Sequence, residues 1–229
     1  DILHNNVAIC EQVNKLCRPL EHFTHYMQQG YYPFGAEGFA TYNQRVENTV
    51  DLLLNIELPQ LRKVDIGNIR KLKALLSVLA SEVPMLVDTA KLSTLLGISR
   101  NTLLAYLEYL DEAKLIRRLY SDDLSVKKMQ KPDKILMDNC NLLKVLALKE
   151  PNIGTLRETF FCNQLGYQHQ VEYSKQGDFL IDHQITFEIG GQAKEGKQVA
   201  AIEDAYIVAD DIEYSCGNKL PIWLFGLLY

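Results

Sequence analysis

The apolar residues of the first third recur at helical spacing. Ile9, Val13 and Leu16 share one helical face, Leu20, Phe23 and Met27 a second, and Phe39, Tyr42, Val46, Val50 and Leu53 a third. Gly30-Tyr31-Tyr32-Pro33-Phe34-Gly35 separates the second from the third. Ile66, Ile69, Leu72, Leu76, Leu79 and Val83 predict a fourth helix, ending before Pro84 because proline disfavours helical backbone in the residue before it.

From Asp88 the pattern shortens. Thr89 to Leu96 and Arg100 to Leu110 predict two helices around a sharp turn, with Gly97 free to take the left-handed conformation and Ser99 able to cap the second helix. Leu115 to Tyr120 and Lys134 to Met137 then read as the two strands of a wing. The last third mixes types: a helix near Leu156 to Tyr167, strands at Asp178 to Ile181, Ile185 to Ile189 and Ala205 to Ala209, and a final apolar segment Pro221 to Phe225. A three-residue connection, Asp182-His183-Gln184, would pair Ile181 with Ile185 and so set Asp178 opposite Glu188. Ile185, Phe187 and Ile189 would then share one face of their strand, and Thr186, Glu188 and Gly190 the other.

Composition narrows the class without naming a function. With 47% apolar and 23% charged residues the chain reads as folded, and no apolar run approaches the roughly 20 residues of a membrane-spanning helix. The five cysteines, at 10, 17, 140, 162 and 216, contain no CxxC pair, which argues against a disulfide framework or cysteine-ligated zinc and for a reducing cytoplasm. A net charge of −5 disfavours coating nucleic acid over the whole surface but permits a local patch. Such a patch lies between Lys114 and Lys134, where seven basic residues face three acids.

Several stretches together resemble a prokaryotic family of AAA-type ATPases whose C-terminal half is a domain of unknown function with a degenerate restriction-endonuclease-like fold. They are Ser99-Arg-Asn-Thr-Leu-Leu-Ala-Tyr-Leu-Glu-Tyr-Leu-Asp-Glu-Ala-Lys-Leu-Ile116, Pro132-Asp-Lys-Ile-Leu-Met-Asp138, Leu156-Arg-Glu-Thr-Phe160, Gly177-Asp-Phe-Leu180, Phe187-Glu-Ile-Gly-Gly191 and Pro221-Ile-Trp-Leu-Phe-Gly226. The resemblance implies a helical lid-like segment over 1–64, a winged helix over 65–150 and a small α/β nuclease-like domain over 151–229. It also implies that the ATP- and magnesium-binding core lies upstream, because no GxxxxGK(S/T) phosphate cradle occurs in this chain. The expected function is therefore non-catalytic: binding and regulation within the parent ATPase, with no cofactor held by this fragment. The upstream core is the expected partner, DNA or another protein the further candidates, and a membrane is excluded.

The candidate sites follow. Arg100 and Asn101 open the second short helix and Arg117, Arg118, Lys127, Lys128 and Lys131 lie on or near the wing, where phosphate contacts would form. Glu108, Asp111 and Glu112 on the same helix repel phosphate, so the wing is the better contact surface and protein binding stays open. Glu158, Asp178 and Glu188 match the acidic positions of the PD-(D/E)xK nuclease pattern, in which carboxylates hold Mg²⁺ and a lysine two residues beyond the second strand acid assists hydrolysis. That position is Gly190, so the triplet is broken; Lys194 is the residue that could reach back. The alternatives are accordingly a Mg²⁺-dependent nucleic-acid hydrolase with a relocated lysine and a winged-helix DNA-binding regulator. His22 and His25, one helical turn apart, lack further ligands; Cys10 and Cys17 at seven-residue spacing read as core; and Tyr31, Tyr32 and Phe34 read as cover for the helix before them.

Overall fold

A computed structural model describes residues 2–38, 40–62, 66–121 and 131–228. The chain is mixed α/β, with two sheets, and divides into two compact units: Gln28–Pro151, and Asp1–Met27 together with Asn152–Tyr229. This division differs from the expected 1–64, 65–150 and 151–229, because the first two helices share a unit with the last third of the chain. No helix among the described residues is long and apolar enough to cross a membrane.

The unit formed by 28–151 holds α3 (Tyr42–Leu52), α4 (Leu58–Arg62), α5 (Ile66–Glu82), α6 (Thr89–Leu96), α7 (Arg100–Glu112) and α8 (Cys140–Leu146). Between α3 and α4 the chain makes a wide π-helical turn, Leu53–Glu57. Tyr42, Val46 and Val50 are buried along one side of α3, as their spacing predicts, whereas Phe39 lies outside the described residues. Helices α6 and α7 start and stop where local chemistry dictates. Asp88 accepts from the Ala90 and Lys91 N–H groups at 3.0 Å, Gly97 closes α6 at φ 59°, and Ser99 Oγ accepts from Thr102 N–H at 3.1 Å.

Strands β1 (Met85–Leu86), β2 (Ile116–Leu119) and β3 (Lys134–Met137) form an antiparallel sheet ordered β1-β3-β2. The third strand, β1, carries only two residues and leaves no periodic signature. Asp133 closes the base of the β2–β3 connection by accepting from both the N–H and the hydroxyl of Ser121 at 2.8 Å.

The other unit contains α1 (Ile2–Leu16), α2 (Pro19–Gln29, whose last two residues belong to the first unit) and α9 (Ile153–Leu165). Its sheet comprises β4 (Val171–Tyr173), β5 (Phe179–Ile181), β6 (Ile185–Gly190), β7 (Ala205–Ala209) and β8 (Lys219–Pro221), in that order. β4, β5 and β6 run antiparallel, and β6, β7 and β8 parallel.

α9 is buried nearly all round. Phe160 meets Phe23 at 4.8 Å and Tyr26 at 5.8 Å, while Phe161 packs on Phe179, Phe187 and Phe225 at about 5 Å. The opposite face of the sheet is covered by the connection 191–204, whose Val199 packs with Ala205 and Ile207. Both faces of β6 are therefore buried, which explains why Thr186 and Glu188 are hidden as fully as Phe187 and Ile189. In α1 Cys10 is buried, as its reading as core implied, but Cys17, read as core with it, is half-buried, and Leu16, grouped with Ile9 and Val13, is 86% exposed.

Candidate functional site

The acidic positions lie in the α/β unit. Pairing follows the expected register, with Ile181 opposite Ile185, Leu180 opposite Thr186 and Phe179 opposite Phe187. Asp182 and His183 supply the left-handed turn at φ 51° and 59°. The ladder stops at Phe179, one residue short of the expected Asp178–Glu188 pair. Asp178 instead donates its N–H to the Phe187 carbonyl at 2.9 Å and accepts from Ile189 N–H through Oδ2 at 2.7 Å. Its carboxylate thus replaces the carbonyl that a longer β5 would offer, and this demand on a backbone donor overrides the cross-strand arrangement.

Glu188 is 1% exposed, and Lys194 reaches it: Nζ lies 2.8 Å from Oε1. Gly190 makes this possible. A Cβ there would stand 2.7–2.8 Å from the Cβ, Cγ and Cδ atoms of Lys194, so any larger residue would expel the lysine stem. Lys219 fixes the segment that bears Lys194 by donating to the Gln192 and Lys194 carbonyls at 2.5 and 3.0 Å. The second carboxylate oxygen, Glu188 Oε2, is buried without a hydrogen-bond partner.

A second ion pair joins α9 to the residue that follows β7: Arg157 Nε lies 2.9 Å from Asp210 Oδ2. Neither residue carries a sequence signal beyond its type. Glu158, the third acidic position, is half-buried on α9.

These residues do not fit a magnesium cage as they stand. Asp178 serves a backbone N–H, Glu188 serves an ammonium, and among the described residues no group of three His, Cys, Asp or Glu side chains is placed to hold an ion, His22 and His25 included. His22 and Cys17 instead line an apolar cavity of about 200 Å³ with Phe23, Phe160 and Trp223.

In the other unit, Arg100 and Asn101 are exposed at the start of α7, where they were expected. Arg117 and Arg118 are not free for phosphate. Arg118 Nε meets Asp111 Oδ2 at 3.0 Å, and Arg117 Nε meets Asp138 Oδ1 at 3.0 Å with only 12% of the arginine side chain exposed. Alternation along β2 sends these two neighbours to different acids. Lys131 is half-buried, and Lys127 and Lys128 lie outside the described residues.

Sequence reasoning missed a buried polar segment after β3. Asp138, Asn139 and Asn141 are each 1–2% exposed. Asn139 caps α8 by accepting from Leu142 N–H at 2.9 Å, and Asn141 Oδ1 accepts from the Tyr42 hydroxyl at 2.5 Å and from Tyr31 N–H at 2.9 Å. Asp138 Oδ2 accepts from the Tyr31 hydroxyl at 3.3 Å and Asn139 Nδ2 at 3.4 Å. Burial pushes the Asp138 carboxyl above its ordinary range against the pull of Arg117, Asn139, Tyr31 and Lys114. Tyr31 and Tyr32, read from sequence as helix cover, are tied into this network, with Tyr32 N–H donating to the Tyr42 hydroxyl at 3.2 Å. An Asn at the cap position directly after an apolar strand is the local signal that would have marked it.

Residues 20–152 match the family described as Domain of unknown function (DUF8612), and the chain belongs to that family. The matched span nearly coincides with the compact unit 28–151. No curated protein and no solved structure matches the chain.

Proposed function

We propose that this chain is the non-catalytic, binding and regulatory C-terminal region of an AAA-type ATPase. In this reading α6, α7, β2 and β3 form a winged helix, and the α/β unit is a nuclease-like fold in which an ion pair stands where metal chemistry would be. The observation that supports its non-catalytic part is the Lys194 ammonium on Glu188, seated in the room that Gly190 leaves. A carboxylate 1% exposed and already neutralised by an ammonium offers neither water nor a divalent cation an open position. Candidate partners are the ATPase core, DNA through the exposed Arg100 and Asn101, and another protein.

One observation favours a second reading, a Mg²⁺-dependent nucleic-acid hydrolase with a relocated lysine: Lys194 does reach the acid that the missing lysine would have served. Incubating the chain with labelled single- and double-stranded DNA and RNA, with Mg²⁺ or Mn²⁺, separates the two. The expected result is no metal-dependent cleavage. Cleavage lost in both Glu188→Gln and Lys194→Met would establish the hydrolase instead. The ATPase assignment rests on resemblance and is tested by the reading frame that encodes the chain, which must also encode a P-loop.

A further inference from the structure

The cavity of about 200 Å³ in the α/β unit is lined in part by the corner where α1 gives way to α2. Pro19 makes that corner: its ring disfavours helical backbone at Arg18, so α1 ends at Leu16 and α2 starts afresh. Val13 and Cys17 line the cavity from α1 and the corner, Phe23 and Tyr26 from α2, Phe160 from α9 and Trp223 from the closing 3₁₀ segment Ile222–Leu227. Phe23 and Phe160 meet edge to face, 4.8 Å apart at 80°, and Tyr26 meets Phe160 in the same way at 5.8 Å and 81°.

The polar ends of the larger rings are engaged elsewhere. Trp223 Nε1–H donates to the Ile212 carbonyl at 3.1 Å, and the Tyr26 hydroxyl accepts from Gln164 Nε2 at 3.2 Å. The walls are therefore carbon apart from the half-buried Cys17 thiol and the exposed His22, and no lysine, arginine, aspartate or glutamate lines them among the described residues. Nothing in the backbone demands the opening. Gly226 lines it in a conformation open to other residues, and a Cβ there would rest 3.4 Å from Phe160 Cζ, an ordinary contact. A larger side chain at 226 would fill space that the glycine leaves empty, although interiors are ordinarily closed to such voids because the lining atoms lose their dispersion partners.

We propose that this cavity binds a small neutral aromatic molecule, of one ring or a fused pair, packed among Phe23, Phe160 and Trp223. Size sets the limits: an apolar cavity of about 150 Å³ holds benzene, and drug-sized ligands occupy about 300 Å³ or more. Shape and charge set the class. Rings already arranged edge to face offer a further ring both the electron-rich face and the positive edge that aromatic pairs prefer. Walls without lysine, arginine or acid leave an ionic ligand's charge buried at a cost.

Trp223, the chain's only tryptophan and 4% exposed, reports occupancy directly. Iodobenzene titrated into the full chain should quench its fluorescence saturably, while iodide ion should not. Toluene should reverse the quenching and raise the melting temperature with dose, by preferential binding to the folded chain. Methylcyclohexane, apolar but saturated, should compete roughly three- to tenfold less well, the worth of one aromatic pair. Benzoate, which would need His22 as its counter-ion, should not compete. Gly226→Leu and Val13→Phe, which fill the cavity from two different elements, should each abolish saturable quenching while circular dichroism stays native. Quenching that rises without saturation, an undiminished response in whichever variant keeps the native spectrum, or methylcyclohexane or benzoate matching toluene would each overturn the proposal.

Discussion

Asp138 in the helical unit and Glu188 in the α/β unit are each 1% exposed, and each has a cationic nitrogen against it, Arg117 Nε at 3.0 Å and Lys194 Nζ at 2.8 Å. Their surroundings differ. Asp138 also accepts from Tyr31 and Asn139, and its guanidinium partner is 12% exposed, so the pair is part of the packed interior. Glu188 has one oxygen without a partner, and its ammonium arrives on a flexible stem that is 35% exposed. A planar guanidinium locked among other donors leaves only by unpacking, whereas a lysine leaves by rotating its own side chain. The same pairing chemistry therefore gives a cation fixed by packing in one unit and a cation held on a partly solvated stem in the other.

The sharpest test of that contrast removes the cations one at a time. Arg117→Met strands a buried carboxylate, and breaking such a pair from one side costs about 3–5 kcal/mol. Chemical denaturation followed by circular dichroism should show a loss of that size. A loss below about 1 kcal/mol, the worth of a surface pair, would place Asp138 in contact with solvent and dissolve the comparison.

Lys194→Met should cost less, about 1–3 kcal/mol, because the lysine is partly solvated and the main penalty is one more unpartnered buried oxygen. Trp223, the chain's only tryptophan, lies in the α/β unit and reports its unfolding by fluorescence. Gly190→Ala sharpens the point, since the added Cβ collides with the Lys194 stem rather than with backbone. It should cost nearly as much as Lys194→Met alone and little in a Lys194→Gly background, where the Lys194 Cβ that would stand 2.8 Å from the new one is gone as well, a coupling that a double-mutant cycle measures directly. Additive losses would mean that Gly190 serves the strand and not the lysine.

What could be read from sequence follows the range of the interaction involved. The ends of α6 and α7 were legible because Gly97 and Ser99 act within three residues, and the β5–β6 register because alternation and a three-residue connection fix it. Gly190 was legible only as a missing lysine. That its empty side holds the stem of Lys194 depends on how the connection 191–204 folds back, which no local pattern encodes. Arg117 and Arg118 read as part of a basic patch because their acids are distant or ambiguous in sequence: Asp138 lies on the far side of the β2–β3 connection, and Asp111 on α7 read as a repeller of phosphate. Asp178 was placed opposite Glu188 by extending a ladder that its own carboxylate ends.

The smallest expected effect decides which force governs Asp138. Burial raises its carboxyl above the ordinary 3.8, and the opposing pull of Arg117, Asn139, Tyr31 and Lys114 does not cancel it. The folded chain therefore binds this proton more tightly than the unfolded chain does. By linkage, the stability it contributes is complete below 3.8 and is lost as pH rises through the higher folded value. Denaturation of wild type and Asp138→Asn across mildly acidic pH isolates the effect, since the other carboxylates titrate in both proteins and cancel in the difference. As pH falls from neutral towards 4, wild type should gain stability relative to the variant. A relative loss on acidification would mean that the Arg117 pair outweighs burial and holds the carboxylate ionised. Asp138 would then resemble an ordinary salt-bridged acid, and the two units would differ in the mobility of the cation alone.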